Sequence, residues 1–492
     1  MIPEYVKQVA KMLKDNQYNA WLVGGSVRDM LLGRKPKDYD ITTDAEPDRL
    51  ARIFPKSILT GARFGTVTVI QEDEFGESHD VEVTTFRSEK DYVGGRWPSH
   101  VEFSTHVIDD LKRRDFTINA MAIDLTGSPG ILDSVEEYLK KVTKIPNFPH
   151  ENIMLLDPFD GQADLVARLI RAVGDPEERF QEDGLRALRA CRIASVLGFE
   201  IEAYTFAAIK TTLQVAAMVS VERVRAELER LIYESPQPSR GIDLMRESGL
   251  LELFLPELLE GYRLEQNKYH VDDVYTHSLK TLDIAPDEVK FAALFHDIGK
   301  PRTKQGEHFY SHDRVGAEMT REILSRLKFP RSFIEETAAL VRWHMFYLPS
   351  TGSERNKEEP IELQKKSRNA AFKTGLSDAA IRRMIRRVGG HEQMDKLITL
   401  RIADATANPK SSFDPNEIQT LADRVARIRE EESALHISDL KVNGHDLQQI
   451  GIPQGPRIRE TLEYLLEIVT DDITLNEREV LLDLAKRKSG VV

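Results

Sequence analysis

The hydrophobic pattern changes near residue 157, and this change limits the folds open to the chain. Before it, short runs rich in β-branched and aromatic residues occur at 20–23, 39–42, 66–70, 81–85 and 101–105. After it, apolar residues recur with a helical period of about 3.6, as at 185–197 and 219–233. The sequence therefore predicts the α+β class, with a small mixed sheet in an N-terminal head and an elongated all-helical body.

Composition narrows the class of protein. The 68 Lys and Arg residues face 81 Asp and Glu residues, and the formal net charge of −13 argues against indiscriminate coating of nucleic acid. The one cysteine, Cys191, excludes a disulfide framework and a Cys-based zinc site, and we expect it in the core. Neither a signal peptide nor a run of ~18 apolar residues is present, so we expect a cytoplasmic protein that does not contact membranes.

A glycine pair separates the first predicted strand from a helix. Gly24 and Gly25 follow the apolar run 20–23 and precede a helical pattern at 27–32. Glycines let the backbone approach a ligand closely, and the first N–H groups of a helix are free to bind phosphate. Arg28 lies one turn into this helix and is placed to pair with the same phosphates. An ordinary tight turn is the alternative interpretation.

Carboxylates fall on two of the predicted strands. Asp38 and Asp40 are two positions apart, so their side chains project from one side of a strand, and Glu82 lies on a second apolar strand. Like charges this close repel each other unless a cation lies between them. Carboxylates beside a phosphate-binding turn suit paired Mg²⁺ ions, which activate an attacking hydroxyl and stabilise a leaving oxygen. A solvated strand end is the alternative.

These residues begin a longer series of motifs. GGSVRDMLLG and DYD resemble the signature of the DNA polymerase β-type nucleotidyltransferase superfamily. More closely, they are similar to class II tRNA nucleotidyltransferases (CCA-adding enzymes) and bacterial poly(A) polymerases. Further stretches resemble this family in order and spacing, at 80–87, 109–124, 157–176 and 182–194. The resemblance implies template-independent addition of CCA to the 3′ end of tRNA from CTP and ATP, with release of pyrophosphate.

The resemblance also implies roles for single residues. Asp38 and Asp40 would hold the catalytic Mg²⁺ ions, with Glu82 in support. The residues implied to contact the phosphates and sugar of the nucleotide are Gly24, Gly25, Arg28, Arg114, Asp115 and Asn119. The residues implied to select and support the base are Asp183, Arg186, Arg189 and Arg192.

The spacing of the base-selecting residues suits their implied role. They step by three, which on one helix makes Asp183 and Arg186 neighbours. A carboxylate accepts from the amino group of cytosine or adenine, and a guanidinium donates to the ring acceptors beside it. Uracil and guanine present the reverse pattern and fit less well. The structural alternative is a surface helix with salt bridges.

Two features favour the CCA-adding branch over poly(A) polymerases. Residues 60–70 resemble the GxxxGTVTV pattern of CCA-adding enzymes, and a strongly basic C-terminal tail is missing. Residues 86–103, with Arg96 and Pro98, resemble a flexible loop that CC-adding relatives lose, which implies that the chain can add the terminal A. Full CCA addition and addition of A alone both stay open. The stretch 132–157 is longer than the usual connection in this family, and we expect an inserted helix there.

A second constellation lies in the helical part. Six of the 13 histidines fall between His270 and His344. His277, His296, Asp297 and Asp404 resemble the ligand set of an HD-domain phosphohydrolase, with Lys300 on the phosphate. Such ligands suit Ni²⁺, Mn²⁺ or another transition metal. The resemblance implies phosphodiesterase or phosphatase activity on 2′,3′-cyclic phosphates or damaged RNA ends; a bundle that only supports tRNA is the alternative.

The tRNA partner is expected on basic and glycine-rich segments. Basic residues opposed only by Asp378 form a predicted RNA-binding patch: Lys365, Lys366, Arg368, Lys373, Arg382, Arg383, Arg386 and Arg387. Residues 442–469 resemble the tail of the family, where Gly444, Gly451 and Gly455 would cradle a backbone phosphate at the tRNA elbow.

Four parts are therefore expected along the chain. They are a nucleotidyltransferase head at 1–156, a helical neck at 157–262, an HD phosphohydrolase-like domain at 263–410 and a helical tRNA-binding tail at 411–492. Rival functions are a poly(A) polymerase or A-adding specialist, a nucleotidyltransferase-HD regulatory sensor and an RNA-binding scaffold. A sensor would be expected to carry ligand-sensing repeats, and a scaffold would not need a complete set of carboxylates.

Overall fold

The computed structural model describes residues 2–73, 75–93, 97–127, 139–142, 153–266, 271–345, 377–410, 415–430 and 436–490. These residues belong to two compact units, 1–254 and 255–492. Among them no helix is both long enough and apolar enough to cross a membrane. The predicted α+β class is confirmed, because a mixed sheet occupies the N-terminal part and helices dominate the rest.

The head is built on an eight-stranded sheet. The strands of the head are β1 (Trp21–Val23), β2 (Asp40–Thr43), β3 (Ser57–Ile58), β4 (Thr66–Glu72), β5 (Ser78–Thr85), β6 (Arg87–Val93), β7 (Trp97–Phe103), β8 (Ala122–Asp124), β9 (Leu139–Val142) and β10 (Ile153–Leu156). Their order in the sheet is β3-β4-β5-β2-β1-β8-β10-β9, and β6 pairs with β7 in a separate hairpin.

One pair of neighbouring strands in this sheet is parallel. β2 runs parallel to β5, and the other neighbours in the sheet are antiparallel. The parallel register places Asp40 directly beside Glu82. β1 is buried along its whole length, as its unbroken apolar run predicts for a strand covered on both faces.

The helix expected at 132–157 is wrong for the residues that are described there. Leu139–Val142 and Ile153–Leu156 are strands that extend the sheet beyond β8. The second of these runs is apolar and only four residues long, and Leu155 and Leu156 are buried, which suits a strand in a sheet better than an exposed helix. Residues 128–138 and 143–152 lie outside the described part, as does Arg96.

The helices of the first unit pack partly on the sheet and partly around one buried helix, Leu185–Leu197. They are α1 (Glu4–Asp15), α2 (Gly25–Leu31), α3 (Pro47–Ile53), α4 (Val107–Lys112), α5 (Gly161–Ala167), α6 (Pro176–Glu182), α7 (Leu185–Leu197), α8 (Ala203–Thr211), α9 (Leu213–Ala216), α10 (Val221–Glu234), α11 (Pro238–Ser248) and α12 (Leu250–Phe254). The α7 helix packs against α10 and α11. Cys191 on α7 is buried as expected, and burial raises the pKa of its thiol to about 12.

The second unit is helical apart from one small hairpin. Its helices are α13 (Pro256–Leu259), α14 (Val274–Ile284), α15 (Lys290–Phe295), α16 (Lys300–Thr303), α17 (His312–Arg326), α18 (Arg331–Trp343), α19 (Asp378–Val388), α20 (His391–Ala407), α21 (Pro415–Glu430), α22 (Gly444–Gln449), α23 (Pro456–Asp471) and α24 (Arg478–Ser489). One apolar core lies among α15 and α18–α21, and another lies among α22–α24.

The prediction that strands end near residue 157 is wrong in detail. Two-residue strands β11 (Leu169–Ile170) and β12 (Glu200–Ile201) pair in parallel, and β13 (Lys304–Gln305) and β14 (His308–Phe309) form a hairpin. Strands this short leave almost no periodic signal in a sequence, because a two-residue alternation cannot be told from chance.

Candidate functional site

The turn between β1 and α2 lies close to the charged side chains of Arg114 and Asp40. Gly24 has φ 76° and ψ −143°, a backbone conformation that favours glycine. A β-carbon at Gly24 would lie 3.0 Å from Nη1 of Arg114 and 3.3 Å from Oδ2 of Asp40. Glycine is therefore required here for two reasons, the backbone conformation and the close approach of the turn to a carboxylate and a cation.

The predicted carboxylates come together on adjacent strands. Asp40 begins β2 with Glu82 beside it on β5, and Asp38 lies just before the strand rather than within it. Asp38 and Glu82 are exposed, whereas Asp40 is half-buried. Burial, together with the charges of Glu82 and Asp38, raises the pKa of Asp40 to about 6 against the opposing charge of Arg114. A divalent cation would relieve this repulsion, so the arrangement fits a metal site made of oxygen ligands.

A large cleft opens over these carboxylates. Its volume is about 1090 Å³, and both the head and α7 contribute to its lining. The predicted residues that line it are Gly25, Arg28, Asp38, Asp40, Glu82, Asn119, Arg189 and Arg192. The cleft thus joins the implied metal ligands to part of the implied base-selecting set, with cationic side chains facing the carboxylates.

A chain of polar contacts links the glycine turn to α7. Arg28 donates to Oδ1 of Asn119 at 2.9 Å, and the Asn119 amide donates to Asp115 at 3.1 Å. Asp115 in turn accepts from Nε of Arg189 at 2.7 Å. Burial alone would raise the pKa of Asp115, but the charge of Arg189 and the bond from Asn119 hold it well below its usual range. The aspartate therefore stays charged and fixes both neighbours.

Asp183 does not lie on the helix that carries the arginines. The α7 helix begins at Leu185, and Asp183 has extended backbone between α6 and α7. The prediction of four residues on one helix is therefore wrong for Asp183. Its carboxylate binds Arg223 through two contacts, of 2.6 Å and 3.1 Å, and accepts the N–H of Leu185 at 3.1 Å.

Arg186 is also engaged within the protein. It is buried, forms an ion pair with Glu182, and donates to the backbone oxygens of Arg179 at 2.9 Å and Arg113 at 2.8 Å. Neither Asp183 nor Arg186 is among the described residues that line the cleft. The role of this pair in reading a base therefore remains a prediction.

Two residues on α10 that the sequence does not single out pair with predicted site residues. Arg223 holds Asp183, and Glu227 pairs with Arg192 at 2.5 Å in a buried contact. Burial lowers the pKa of Arg192, and the charge of Glu227 opposes this effect. The two residues are four positions apart and so lie on one face of α10. The sequence VERVRAELERLIYE is amphipathic and places Glu227 next to the apolar position Leu228, but no local pattern shows which arginine this carboxylate pairs with.

The predicted HD ligands converge inside the second unit. Nε2 of His277 lies 2.9 Å from Oδ1 of Asp404 and 3.3 Å from Nε2 of His296. Nε2 of His296 lies 3.2 Å from Oδ2 of Asp297, and Nζ of Lys300 lies 2.6 Å from the same oxygen. All these residues except Asp404 are buried. Imidazole nitrogens beside carboxylates fit a borderline transition metal.

The charges of this cluster support one another. Burial would raise the pKa of Asp297, but the charges of His296 and Lys300 hold it well below its usual range. Burial opposes charge on His296, yet Asp297 raises its pKa overall. The pKa of Asp404 is also lowered, because its bond to His277 and the charge of His296 outweigh burial. The carboxylates are thus kept in the charged form that binds a cation.

Two further histidines lie against the same aspartate. Nε2 of His312 and Nε2 of His344 are 3.6 Å and 3.7 Å from Oδ1 of Asp297. Burial lowers the pKa of His312 to about 4. His312 and His344 belong to the group of six histidines between residues 270 and 344, but their spacing in the sequence does not predict a role for them.

Some arginines in the described half of the predicted basic patch make contacts within the protein. Arg383 pairs with Asp471, Arg382 is buried, and the Arg387 guanidinium lies 5.8 Å from the Trp343 ring. Residues 365, 366, 368 and 373 lie outside the described part. An RNA-binding role for this patch stays a prediction.

The glycines of the predicted tail lie at helix starts. Gly444 begins α22, where Asn443 caps the helix through the N–H groups of His445 and Asp446. Gly455 precedes α23 with φ 130°, and space is open where its β-carbon would be. Contact with a phosphate there also stays a prediction.

Comparisons with known proteins match both units. Family profiles match at residues 20–171 (Poly A polymerase head domain), 272–408 (HD domain) and 394–485 (tRNA nucleotidyltransferase domain 2). The chain is 34% identical over 472 residues to the A-adding tRNA nucleotidyltransferase of Deinococcus radiodurans, covering 91% of each chain. It is 30% identical over 475 residues to the CCA-adding enzyme of Geobacillus stearothermophilus, covering 96% of this chain and 93% of that one.

Solved structures agree with these matches. The Bacillus stearothermophilus CCA-adding enzyme in complex with CTP has a TM-score of 0.65 and 27% identity, covering 99% of this chain and 98% of that one. The Thermotoga maritima CCA-adding enzyme complexed with tRNA has a TM-score of 0.52 at 20% identity, covering 99% and 95%, which shows the fold alone.

Proposed function

Because the chain belongs to the tRNA nucleotidyltransferase family that includes CCA-adding enzymes, we propose that it adds CCA, or at least the terminal A, to the tRNA 3′ end. CTP and ATP are the substrates, and pyrophosphate is the leaving group. The observation that carries this proposal is the register of Asp40 with Glu82, beside Asp38, under a cleft lined by arginines. Because tRNA is the substrate, we expect the reaction to take place in the cytoplasm.

The head supplies positions for two parts of the reaction. Asp38 and Asp40 would hold Mg²⁺, with Glu82 beside them. Mg²⁺ held by these carboxylates would supply activation of the attacking 3′-hydroxyl and neutralisation of phosphate charge. The Arg28 guanidinium lies beside Gly25 of the glycine turn and donates to Asn119. At this position it would pair with triphosphate oxygens. The chain through Asp115 then ties the phosphate site to Arg189 beside the base.

Base selection rests on Asp183 and Arg186. Oδ1 of Asp183 already accepts from Arg223 and from the N–H of Leu185. Within the described part of the chain Oδ2 accepts from Arg223 alone, so it keeps a lone pair that can accept from an exocyclic amino group. Arg186 would have to exchange its contact with Glu182 for the acceptors of the base. Before the nucleotide binds, both side chains therefore bind neighbouring residues, and binding of the base would rearrange these contacts.

A set of end-labelled tRNA acceptors tests this function. Acceptors lacking CCA, CA or A are each incubated with CTP, ATP or both, and product lengths are measured. A CCA-adding enzyme extends the shortest acceptor by three nucleotides and stops. An A-adding specialist extends only the acceptor that lacks A, and a poly(A) polymerase makes long products with ATP alone. Failure to extend any acceptor contradicts the proposal.

A second activity is favoured by the HD cluster. The converging nitrogens and oxygens of His277, His296, Asp297 and Asp404 would hold a transition metal, and Lys300 lies beside them to bind phosphate. We propose that this site hydrolyses phosphate esters, including 2′,3′-cyclic phosphates. Phosphate release by the full chain with Mn²⁺ or Ni²⁺ tests it, and the activity should vanish in His296→Ala.

A further inference from the structure

A group of cations lines the large cleft of the first unit, and the motifs of the sequence imply no role for it. Arg34, Lys35 and Lys37 lie in the loop between α2 and β2, and Arg230 lies near the end of α10. Arg34 and Lys35 are exposed and form no ion pair within the described part of the chain. This side of the cleft is therefore positive in a chain whose net charge is −13.

Lys37 and Arg230 share one carboxylate. Nζ of Lys37 lies 3.3 Å and Nε of Arg230 lies 3.4 Å from Oε1 of Glu234. Burial would raise the pKa of Glu234, but the charges of Arg230 and Lys37 lower it overall. The side chains of Lys37 and Arg230 are 73% and 49% exposed. One carboxylate thus faces two accessible cations, and an excess of positive charge remains for another anion.

Contacts along α10 show where this group lies. Arg223 contacts Asp183, just before α7, and Glu227 contacts Arg192 within α7, so the two helices run side by side in one direction. Glu234 ends α10 about two turns beyond Glu227. Since the 13 residues of α7 span ~20 Å, the cations lie at the opposite end of α7 from the residues implied to select the base.

Apolar side chains line the cleft at the same end. Val196 and Leu197 of α7 and Pro236 after α10 belong to its lining. The faces of a nucleobase pack on apolar surface, and the strand that carries the bases needs cations for its phosphates. Pyrophosphate offers charge without an apolar face. Apolar surface beside cations therefore favours a nucleotide within an RNA strand over a leaving group.

This end of the cleft also lies beside the predicted Mg²⁺ ligands. Lys37 directly precedes Asp38 in the chain, yet its ammonium group lies against α10. The cleft volume of about 1090 Å³ exceeds the roughly 300–1,000 Å³ of a site for one small ligand, so it has room for a triphosphate and the end of an RNA strand. A 3′-hydroxyl that attacks beside Asp38 brings the backbone phosphates of its own strand to these cations.

We propose that this end of the cleft binds the RNA strand just before its reacting 3′ end. A backbone phosphate binds Lys37 and Arg230 in place of Glu234, and Arg34 and Lys35 lie in the same loop for the next phosphate of the strand. Glu234 keeps the two cations in position before RNA binds and competes with the phosphate for them. The inference deepens the proposed nucleotidyl transfer and rests on it.

Binding of a tRNA that lacks the terminal A tests the site in the full chain. Filter binding is measured at several salt concentrations without nucleotide. Lys37→Ala should weaken binding about tenfold and lower the slope of log Kd against log salt by about 0.7, because one phosphate contact is lost. Lys37→Arg keeps the charge and should restore binding. Glu234→Gln should tighten binding about threefold, because the amide forms no ion pair with the cations.

A neutral linkage locates the phosphate. The last two linkages of the tRNA are replaced, one at a time, by methylphosphonates, which carry no charge. At one of them Lys37→Ala should weaken binding no further, because the contact is already lost. An equal loss by Lys37→Ala on every tRNA would overturn the contact.

The matched control is Lys56→Ala. The Lys56 side chain is 72% exposed and pairs with Glu72, but it is not among the described residues that line the cleft. Its loss should leave both the affinity and the salt slope unchanged. An equal weakening in Lys56→Ala and Lys37→Ala would assign the effect to the overall charge of the head and overturn the site.

Extension assays separate this inference from the proposed function. Lys37→Ala should raise the KM for tRNA and leave the KM for ATP unchanged. A raised KM for ATP alone would assign the cations to the triphosphate and overturn the RNA site. Extension with unchanged affinity, salt slope and KM in Lys37→Ala overturns it too and leaves the proposed function standing. If the unaltered chain extends no tRNA acceptor, both fail.

Discussion

The head and the HD cluster assemble charged ligands in opposite ways. In the head, Asp38 and Glu82 are exposed, Asp40 is half-buried, and a polar cleft of about 1090 Å³ opens over them. In the HD cluster, His277, His296 and Asp297 are buried and their ligand atoms already contact one another. One site exposes oxygen atoms to a large cleft, and the other brings nitrogen and oxygen atoms together in the protein interior.

The difference in ligand atoms and burial indicates which cation each site favours. Oxygen ligands that leave room for water and triphosphate suit Mg²⁺, which dehydrates reluctantly. Imidazole ligands in a buried site suit Mn²⁺, Ni²⁺ or a similar metal. The two ligand sets therefore favour different cations, and each prediction below tests one side of this contrast.

The largest effect is expected from Asp40→Ala. Loss of the carboxylate should reduce nucleotide addition by about 1000-fold or more, because the metal supplies several kcal/mol of transition-state stabilisation. Binding of tRNA should survive, since it depends on other surfaces. Extension of labelled tRNA and a filter-binding titration measure the two properties. Addition at a near wild-type rate would show that this carboxylate does not hold the catalytic ion.

Metal replacement should separate the two sites. After chelation, Mg²⁺ should restore nucleotide addition, while Mn²⁺ or Ni²⁺ should restore ester hydrolysis at least roughly 100-fold better than Mg²⁺ does. Both activities are measured on one preparation, titrated with each metal in turn. If Mg²⁺ alone restored both activities equally, the donor sets would not discriminate as we infer.

The pH dependence of Mg²⁺ activation should follow the protonation of Asp40. Its raised pKa of about 6 means that the carboxylate is protonated below that pH and must lose the proton to bind metal. The apparent Mg²⁺ affinity for nucleotide addition should therefore fall about tenfold per pH unit below 6 and level off above 7. The apparent Mg²⁺ constant is measured at fixed ionic strength from pH 5 to 8. A flat profile would mean that Asp40 does not control metal binding.

A smaller effect is expected from Arg223→Gln. Arg223 makes charge-assisted contacts with Asp183, so its loss should free the carboxylate and weaken discrimination against UTP and GTP by about tenfold. The ratio of kcat/KM values for the correct and incorrect nucleotides measures this. Arg225→Gln on the same helix is the control, because Arg225 pairs with Glu229 instead. Equal loss in both variants would assign the effect to helix stability.

Local rules were enough to select from the sequence the carboxylates of the head, whose role as metal ligands stays a prediction. Asp38 and Asp40 are two positions apart near the start of a strand, and Glu82 lies on a second strand with alternating apolar residues. The parallel pairing that aligns Asp40 with Glu82 could not be read from spacing, because it depends on the order of strands in the sheet.

Other parts depended on contacts between distant residues. The spacing of Asp183 from the arginines predicts a helical position, but its backbone is extended and its carboxylate binds Arg223 on α10. Glu227 pairs with Arg192 across 35 positions, a separation at which spacing carries no information. His312 and His344 were visible as histidines, yet only the fold shows that both face Asp297.

One crossed measurement tests the central claim of two separate metal chemistries most directly. Extension of a tRNA lacking CCA and hydrolysis of a 2′,3′-cyclic phosphate are measured on the same samples. One variant carries Asp38→Asn with Asp40→Asn, and the other carries His277→Ala with His296→Ala. We predict that the first loses only extension and the second loses only hydrolysis. Loss of both activities in either folded variant would contradict the account.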